Sequence, residues 1–187
     1  YVEFMRAAGF QPPALFEARI EAMGDYLVGA VRPDGYLPHN NDSDLDDVKT
    51  YLGEVAEVFG REDWRYIASN GATGERPAAP PSRFYPYAGQ MISRSGWDER
   101  ADWSFFDVGP WGISHQHNDR LHLSVVSGGR DLLVDTGRYV YVDDDPMRRY
   151  VVSSRGHNVI QIDGSEQGPQ ELESGAPLEG ACAITDR

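Results

Sequence analysis

The hydrophobic period of this chain changes once, and that change limits what it can fold into. Up to about residue 70 apolar residues recur every three to five positions; after residue 82 they come in short alternating runs. An amphipathic helix needs the first pattern and a half-buried strand the second. Between them lies Asn70-Gly-Ala-Thr-Gly-Glu-Arg-Pro-Ala-Ala-Pro-Pro-Ser82, a Gly/Pro/Ala linker with no apolar period. The pattern predicts helices over residues 1–75 and an antiparallel β region over 76–187.

In the first half, Leu15, Ile20, Met23, Leu27 and Val31 form a stripe along a helix of about four turns. Pro12-Pro13 start it and Pro33-Asp34-Gly35 end it in a turn. A second helix is expected from Asp46 to Phe59, with Val48, Leu52, Val55 and Phe59 inward and Gly60 as its stop. A third, shorter one runs from Glu62 to Ala68. Acids at 42, 44, 46 and 47 precede the second helix, where its dipole favours negative charge. They lack the Gly and closing Glu of an EF-hand loop and read as a solvated helix N-terminus. In the second half the apolar runs are 90–94, 103–108, 121–126, 131–134, 138–142 and 157–162. Leu121, Leu123 and Val125 alternate with His122, Ser124 and Val126, and Val159, Gln161 and Asp163 with Asn158, Ile160 and Ile162, as in strands. Gly128-Gly129 signals a hairpin.

The 187 residues suffice for a core without disulfides. A single cysteine, Cys182, excludes an internal disulfide and a cysteine-rich zinc module. No run approaches the length of a membrane-spanning helix. The sequence begins at Tyr1 rather than Met and reads as a fragment, so the lack of a leader says nothing about the parent protein. A net charge of −13 argues against nucleic acid and anionic membranes as partners. The excess acid sits in residues 1–75, with fourteen Asp and Glu against five Arg and one Lys; residues 120–155 hold six Arg against five Asp.

Chemistry concentrates in that near-neutral segment. Gly109-Pro-Trp-Gly-Ile-Ser-His115-Gln-His117-Asn-Asp119 brings two imidazoles and a carboxylate within five residues. In an extended chain all three project to one face, while Gly109, Pro110 and Gly112 keep the approach open. In Leu132-Leu-Val-Asp135-Thr-Gly137 an apolar run delivers a carboxylate, which if buried needs a cation or several donors. Arg155-Gly-His157-Asn158 places a further histidine at the start of a run. Two imidazoles and a carboxylate make a plausible zinc set. Core or turn histidines and a strand-end Asp-Thr-Gly turn account for the pieces taken singly.

Taken in order, these motifs, with Arg148-Arg-Tyr150, the lead-in Gln90-Met-Ile-Ser-Arg94-Ser-Gly-Trp97-Asp98 and the stretch Pro33 to Asp42, resemble the heparinase II/III-like polysaccharide lyases and their oligoalginate lyase relatives. The resemblance implies an α+β multidomain fragment: the last helices of an (α/α) toroid (1–75), then the first part of an antiparallel β-sandwich (76–187). It implies a structural zinc on His117, Asp135 and His157, with His115 lining the cleft. Tyr141 joins His115 as a catalytic candidate; Arg148, Tyr139 and Tyr150 are substrate-binding candidates. The bland alternatives are sheet-packing tyrosines and an Arg148 paired with Asp143, Asp144 or Asp145. His122 reads as structural and His39 as a loop residue.

The implied reaction is β-elimination on an anionic polysaccharide containing uronic acid, of glycosaminoglycan or alginate type. The family's main catalytic Tyr and the Asn or His that grips the substrate carboxylate come from the toroid upstream. Neither has a match here, so this piece alone is expected to be inactive. A bacterial periplasmic or secreted location follows from the same resemblance. The competing readings are a non-catalytic, zinc-stabilised carbohydrate-binding protein of the same fold and a zinc hydrolase using metal-bound water.

Overall fold

The computed structural model describes residues 1–109 and 115–167. Four helices come first: α1 (Val2–Ala7), α2 (Ala14–Ala30), α3 (Val48–Phe59) and α4 (Glu62–Ala68). Five strands follow, β1 (Arg83–Tyr85), β2 (Gln90–Arg94), β3 (Trp103–Asp107), β4 (His122–Ser127) and β5 (Arg130–Leu133), then the short helix α5 (Pro146–Val152) and a 3-10 turn at Ser154–Gly156. The strands pair antiparallel in chain order as one sheet. No helix among the described residues is long and apolar enough to cross a membrane.

Helices α3 and α4 stand where the periodicity places them. The Asp47 side chain caps α3 by accepting from Thr50 N, and Gly60 ends it at φ 63°. Helix α2 has the expected length, but its packing face coincides with the expected stripe only in part. Its buried residues are Gly24, Val28, Gly29 and Ala30, whereas Leu15 and Met23 of the expected stripe are 71% and 65% exposed. Gly24 is the cause. A Cβ there would lie 2.4 Å from the Trp64 ring, so the buried indole rests on bare helix backbone and its Nε1 donates to Asp25 Oδ1 at 3.0 Å. The C-terminal part of the expected stripe does pack, Val31 in the core and Leu27 against it, while the Gly24 contact turns Leu15 and Met23 outward.

In the sheet, Ser127 faces Arg130 across the β4–β5 turn. Gly128 and Gly129 there have φ 57° and 78°, the two positive values a two-residue type I′ turn requires. The runs 138–142 and 157–162 are not strands. An alternating pattern becomes a strand only where a neighbour supplies a ladder. Among the described residues, 157–162 receives one bond from that side, Leu123 N donating to Asn158 O at 3.2 Å. Ile160 and Ile162 stay exposed.

Helices and sheet share apolar contacts. Trp97, from the β2–β3 connection, joins Val28, Val31, Leu52 and Trp64, while Ala30 of α2 packs with Ile92, Trp103, Phe105 and Val126. The buried Arg94 guanidinium lies 4.3 Å above the Trp97 ring and donates to Val31 O at 3.2 Å. Tyr26 of α2 donates to Gln90 Oε1 at 2.9 Å and meets Tyr85 edge-on.

Burial, aided by Tyr85 and Asp107, pushes the Tyr26 hydroxyl from its ordinary 10.0 up to about 12. The folded chain holds this proton at pH values where the unfolded chain releases it. Stability therefore falls as pH rises from 10.0 toward about 12. Tyr26→Phe is expected to flatten that alkaline loss, read as a smaller drop in urea midpoint between mildly and strongly alkaline buffer.

Candidate metal centre and cleft

Three connections deliver three side chains to one point. His117 comes from the β3–β4 connection, Asp135 from just past β5, and His157 directly follows the 3-10 turn. One ligand-type atom of each lies within 4.8 Å of the other two. All three side chains are buried. His117 Nδ1 and His157 Nε2 have no hydrogen-bond partner, which in a buried site costs roughly 1–3 kcal/mol each. A cation taken up at either nitrogen would remove that penalty there, so the residues present fit a metal ion.

The remaining atoms are engaged. His157 Nδ1 lies 2.7 Å from Asp135 Oδ2, and Asp135 Oδ1 accepts from Gly137 N at 2.8 Å. Burial alone would raise Asp135; the His157 hydrogen bond and the His122 and His157 charges outweigh it and lower the carboxyl. Burial lowers His117, favouring the neutral ring a metal needs. His157 is held up despite burial, by its bond to Asp135. Burial also pushes Asp119 up to about 7; it accepts from Gln116 Nε2 at 3.1 Å and stands outside the triad.

The α2–α3 connection clasps this centre. Asn40 Nδ2 donates to Asp107 Oδ2 at 3.0 Å. Asn41 Oδ1 accepts from His117 N at 2.8 Å and Gln116 Nε2 at 2.7 Å. Asp42, its side chain only 4% exposed, sits 2.8 Å from His117 Nε2 and 3.0 Å from His115 Nδ1. It also accepts both Arg148 terminal nitrogens, at 2.6 and 3.1 Å. Burial would raise Asp42, but bonds from Arg148, His117 and His115 bring it down to about 2.

Several expectations change here. The acidic run is not uniformly solvated, because Asp42 is buried at this junction. Arg148 does not pair with Asp143, Asp144 or Asp145: Asp145 caps α5 and Asp144 pairs with Arg149 at 3.1 Å. Its fork grips Asp42 rather than standing free for a substrate carboxylate. His115, His117 and Asp119 do not share a face. His115 adopts φ 59°, which breaks the extended geometry and leaves its side chain 62% exposed while the other two are buried. The Leu132-Leu-Val run is exposed, yet Asp135 beyond it is buried as expected. His122 is buried with Nδ1 3.2 Å from Asp135 Oδ2, so it backs the triad. His39 Nδ1 lies 3.1 Å from Asp135 O.

The two catalytic candidates meet. Tyr141 Oη is 3.2 Å from His115 Nδ1, with the rings edge-on at 5.6 Å. The Arg138 guanidinium lies 4.9 Å over the Tyr141 ring and is itself held by Asp44. Tyr139 and Tyr150 are 55% and 49% exposed and lie on no strand. Pro110 and Gly112 fall outside the described residues, as do residues 168–187 of the β region.

Residues 77–179 match the family model "Heparinase II/III-like, C-terminal". A heparin-sulfate lyase of Pedobacter heparinus is 27% identical over 158 residues, covering 81% of this chain and 24% of its own length. The crystal structure of a heparan sulfate lyase from Pedobacter heparinus superposes with TM-score 0.75 at 26% identity, over 81% of this chain and 25% of that one. A heparinase III structure superposes with TM-score 0.75 at 19% identity, over 88% and 29%; its likeness concerns the fold alone. The chain thus spans about a quarter of these relatives, whose architecture of helical toroid and β-sandwich it shares in part. It belongs to the heparinase II/III-like family, through that family's C-terminal domain.

Proposed function

We propose that this chain is part of a lyase that cleaves a uronic-acid-containing polysaccharide by β-elimination. The observation that carries the reading is a convergence: exposed His115, in contact with Tyr141, shares the carboxylate of Asp42 with the buried metal-centre residue His117. Residues 1–75 form the end of the toroid and 76–187 the start of the sandwich in this reading.

In the reaction the C5–H pair becomes the C4=C5 double bond, the C4–O4 bond breaks with its electrons on the departing oxygen, and that oxygen is protonated. His115 and Tyr141 handle these protons. With Nδ1 of His115 turned to Asp42, Nε2 is the nitrogen available to substrate. General acid–base groups of this kind contribute about 100- to 10,000-fold. Neutralising the C6 carboxylate acidifies C5–H, and donors aimed at that charge supply several kcal/mol more. We assign that role to the helical domain. Exposed Tyr139 and Tyr150 are assigned as substrate contacts in this reading. Arg148 acts behind the surface, through Asp42.

The metal is zinc, held by His117, Asp135 and His157, since two imidazoles and a carboxylate suit that ion. When bound it supplies rigidity to the domain rather than a nucleophile. Glycosaminoglycan is the favoured polymer, because the named relatives are heparin and heparan sulfate lyases. A periplasmic or secreted location, drawn from the family, belongs to the same reading.

The intact protein should be incubated with heparan sulfate, hyaluronan and alginate while the ultraviolet absorbance of the unsaturated uronate product is followed. Growth of that absorbance on a glycosaminoglycan is the expected result. Binding without product would support the carbohydrate-binding alternative.

A further inference from the structure

Asp42 carries two imidazoles and one guanidinium on one nearly inaccessible carboxylate. Arg148 grips both of its oxygens, at 2.6 and 3.1 Å, so the group is an anion that can only accept hydrogen bonds. His117 Nε2 lies 2.8 Å from Oδ1 and His115 Nδ1 lies 3.0 Å from Oδ2. A carboxylate oxygen and a ring nitrogen approach that closely only with a proton between them. The 3.3 Å separation of Arg148 from His117 Nε2 is then a contact between two donors sharing one acceptor. The protons are thereby assigned: His117 carries hydrogen on Nε2, and His115 on Nδ1.

We propose that Asp42 is a positioning residue that fixes opposite tautomers in the two histidines, coupling the metal centre to the cleft through one carboxylate. On His117 the Nε2 proton leaves the Nδ1 lone pair free, and Nδ1 is the buried atom without a partner. On the exposed His115 the Nδ1 proton leaves Nε2 as the nitrogen that exchanges protons with substrate. Carboxylate–histidine pairs of this type orient metal ligands and raise their basicity. Here one such group serves a ligand and a proton-transfer residue together. The two oxygens divide the work, Oδ1 to the metal side and Oδ2 to the cleft side. Asn41, next in the chain, holds the His117 backbone at 2.8 Å, so a single turn of the α2–α3 connection sets both position and tautomer.

The inference rests on the metal and cleft reading above, and its test separates the two. Nitrogen-15 spectra of the intact protein with labelled histidine report which ring nitrogen bears hydrogen, with or without metal. The expected result is Nε2–H for His117 and Nδ1–H for His115 in the metal-free wild type. The reverse pair would overturn the proposal whatever the metal affinity, and needs no variant to fold. In Asp42→Asn one carboxamide oxygen cannot serve both rings. Zinc affinity, measured by chelator competition, should fall about 10- to 100-fold, and His115 should revert toward its Nε2–H form. Asp42→Glu should recover part of both signals. Unchanged affinity and unchanged tautomers in Asp42→Asn would sink the idea. A wild type with the predicted tautomers but no zinc binding would reject the metal reading and confine Asp42 to the cleft histidine.

Discussion

His115→Ala in the intact protein is expected to lower kcat on the proposed uronan substrate by about 100- to 10,000-fold, the range for loss of a general acid–base group. Metal content and fold should stay as in the wild type. The side chain is 62% exposed and contributes no ligand to the triad, so its removal empties the cleft without opening the core. Tyr141→Phe makes a companion variant, since it keeps the ring under Arg138 and deletes only the hydroxyl 3.2 Å from His115 Nδ1. Progress curves under saturating substrate distinguish the effect from weakened binding, which would raise KM and spare kcat. Full activity in His115→Ala would remove the histidine from the mechanism.

The second large effect is on stability. Asp135 has its side chain fully buried and serves His157 Nδ1, Gly137 N and the neighbouring His122. Asp135→Ala leaves the His157 imidazole and the Gly137 amide buried without their acceptor, removes the carboxylate beside His122, and takes one ligand from the proposed ion. Removing one partner from a buried charged network costs about 3–5 kcal/mol, a large share of an ordinary domain's stability. Loss of the ion adds to this, because ligand binding to the folded state alone stabilises it. The expected outcome is a strongly lowered Tm that added zinc does not restore, whereas zinc raises the Tm of the metal-free wild type. An Asp135→Ala protein as stable as the wild type, and as responsive to zinc, would contradict the assignment.

The parts of this architecture that were legible in the sequence are those set by local rules. Helix α3 announced itself through Val48, Leu52 and Gly60, and the β4–β5 hairpin through Gly128-Gly129, because caps and turns are decided within a few residues. The triad of His117, Asp135 and His157 was legible only through the family resemblance, because its members stand eighteen and twenty-two residues apart and each motif taken singly has a structural explanation. What sequence alone could not give depended on distant partners. The packing face of α2 is shifted by Trp64 lying on Gly24, forty residues away, so Leu27 and Val31 of the apolar stripe pack while Leu15 and Met23 stay exposed. Asp42 looked like one acid among several before a helix. Nothing local distinguishes it from Asp44 until the chain folds it against Arg148, more than a hundred residues later. The run 157–162 has a strand's alternation but, among the described residues, no ladder partner to make it one.

Three buried side chains, His117, Asp135 and His157, are proposed to hold one ion, and elemental mass spectrometry of the intact protein tests that directly. The predicted result is one zinc per chain in the wild type, retained in His115→Ala and lost in both His117→Ala and Asp135→Ala. A folded wild type purified with zinc present that carries no metal, or variants that keep it in full, would contradict the centre on which the cleft geometry rests.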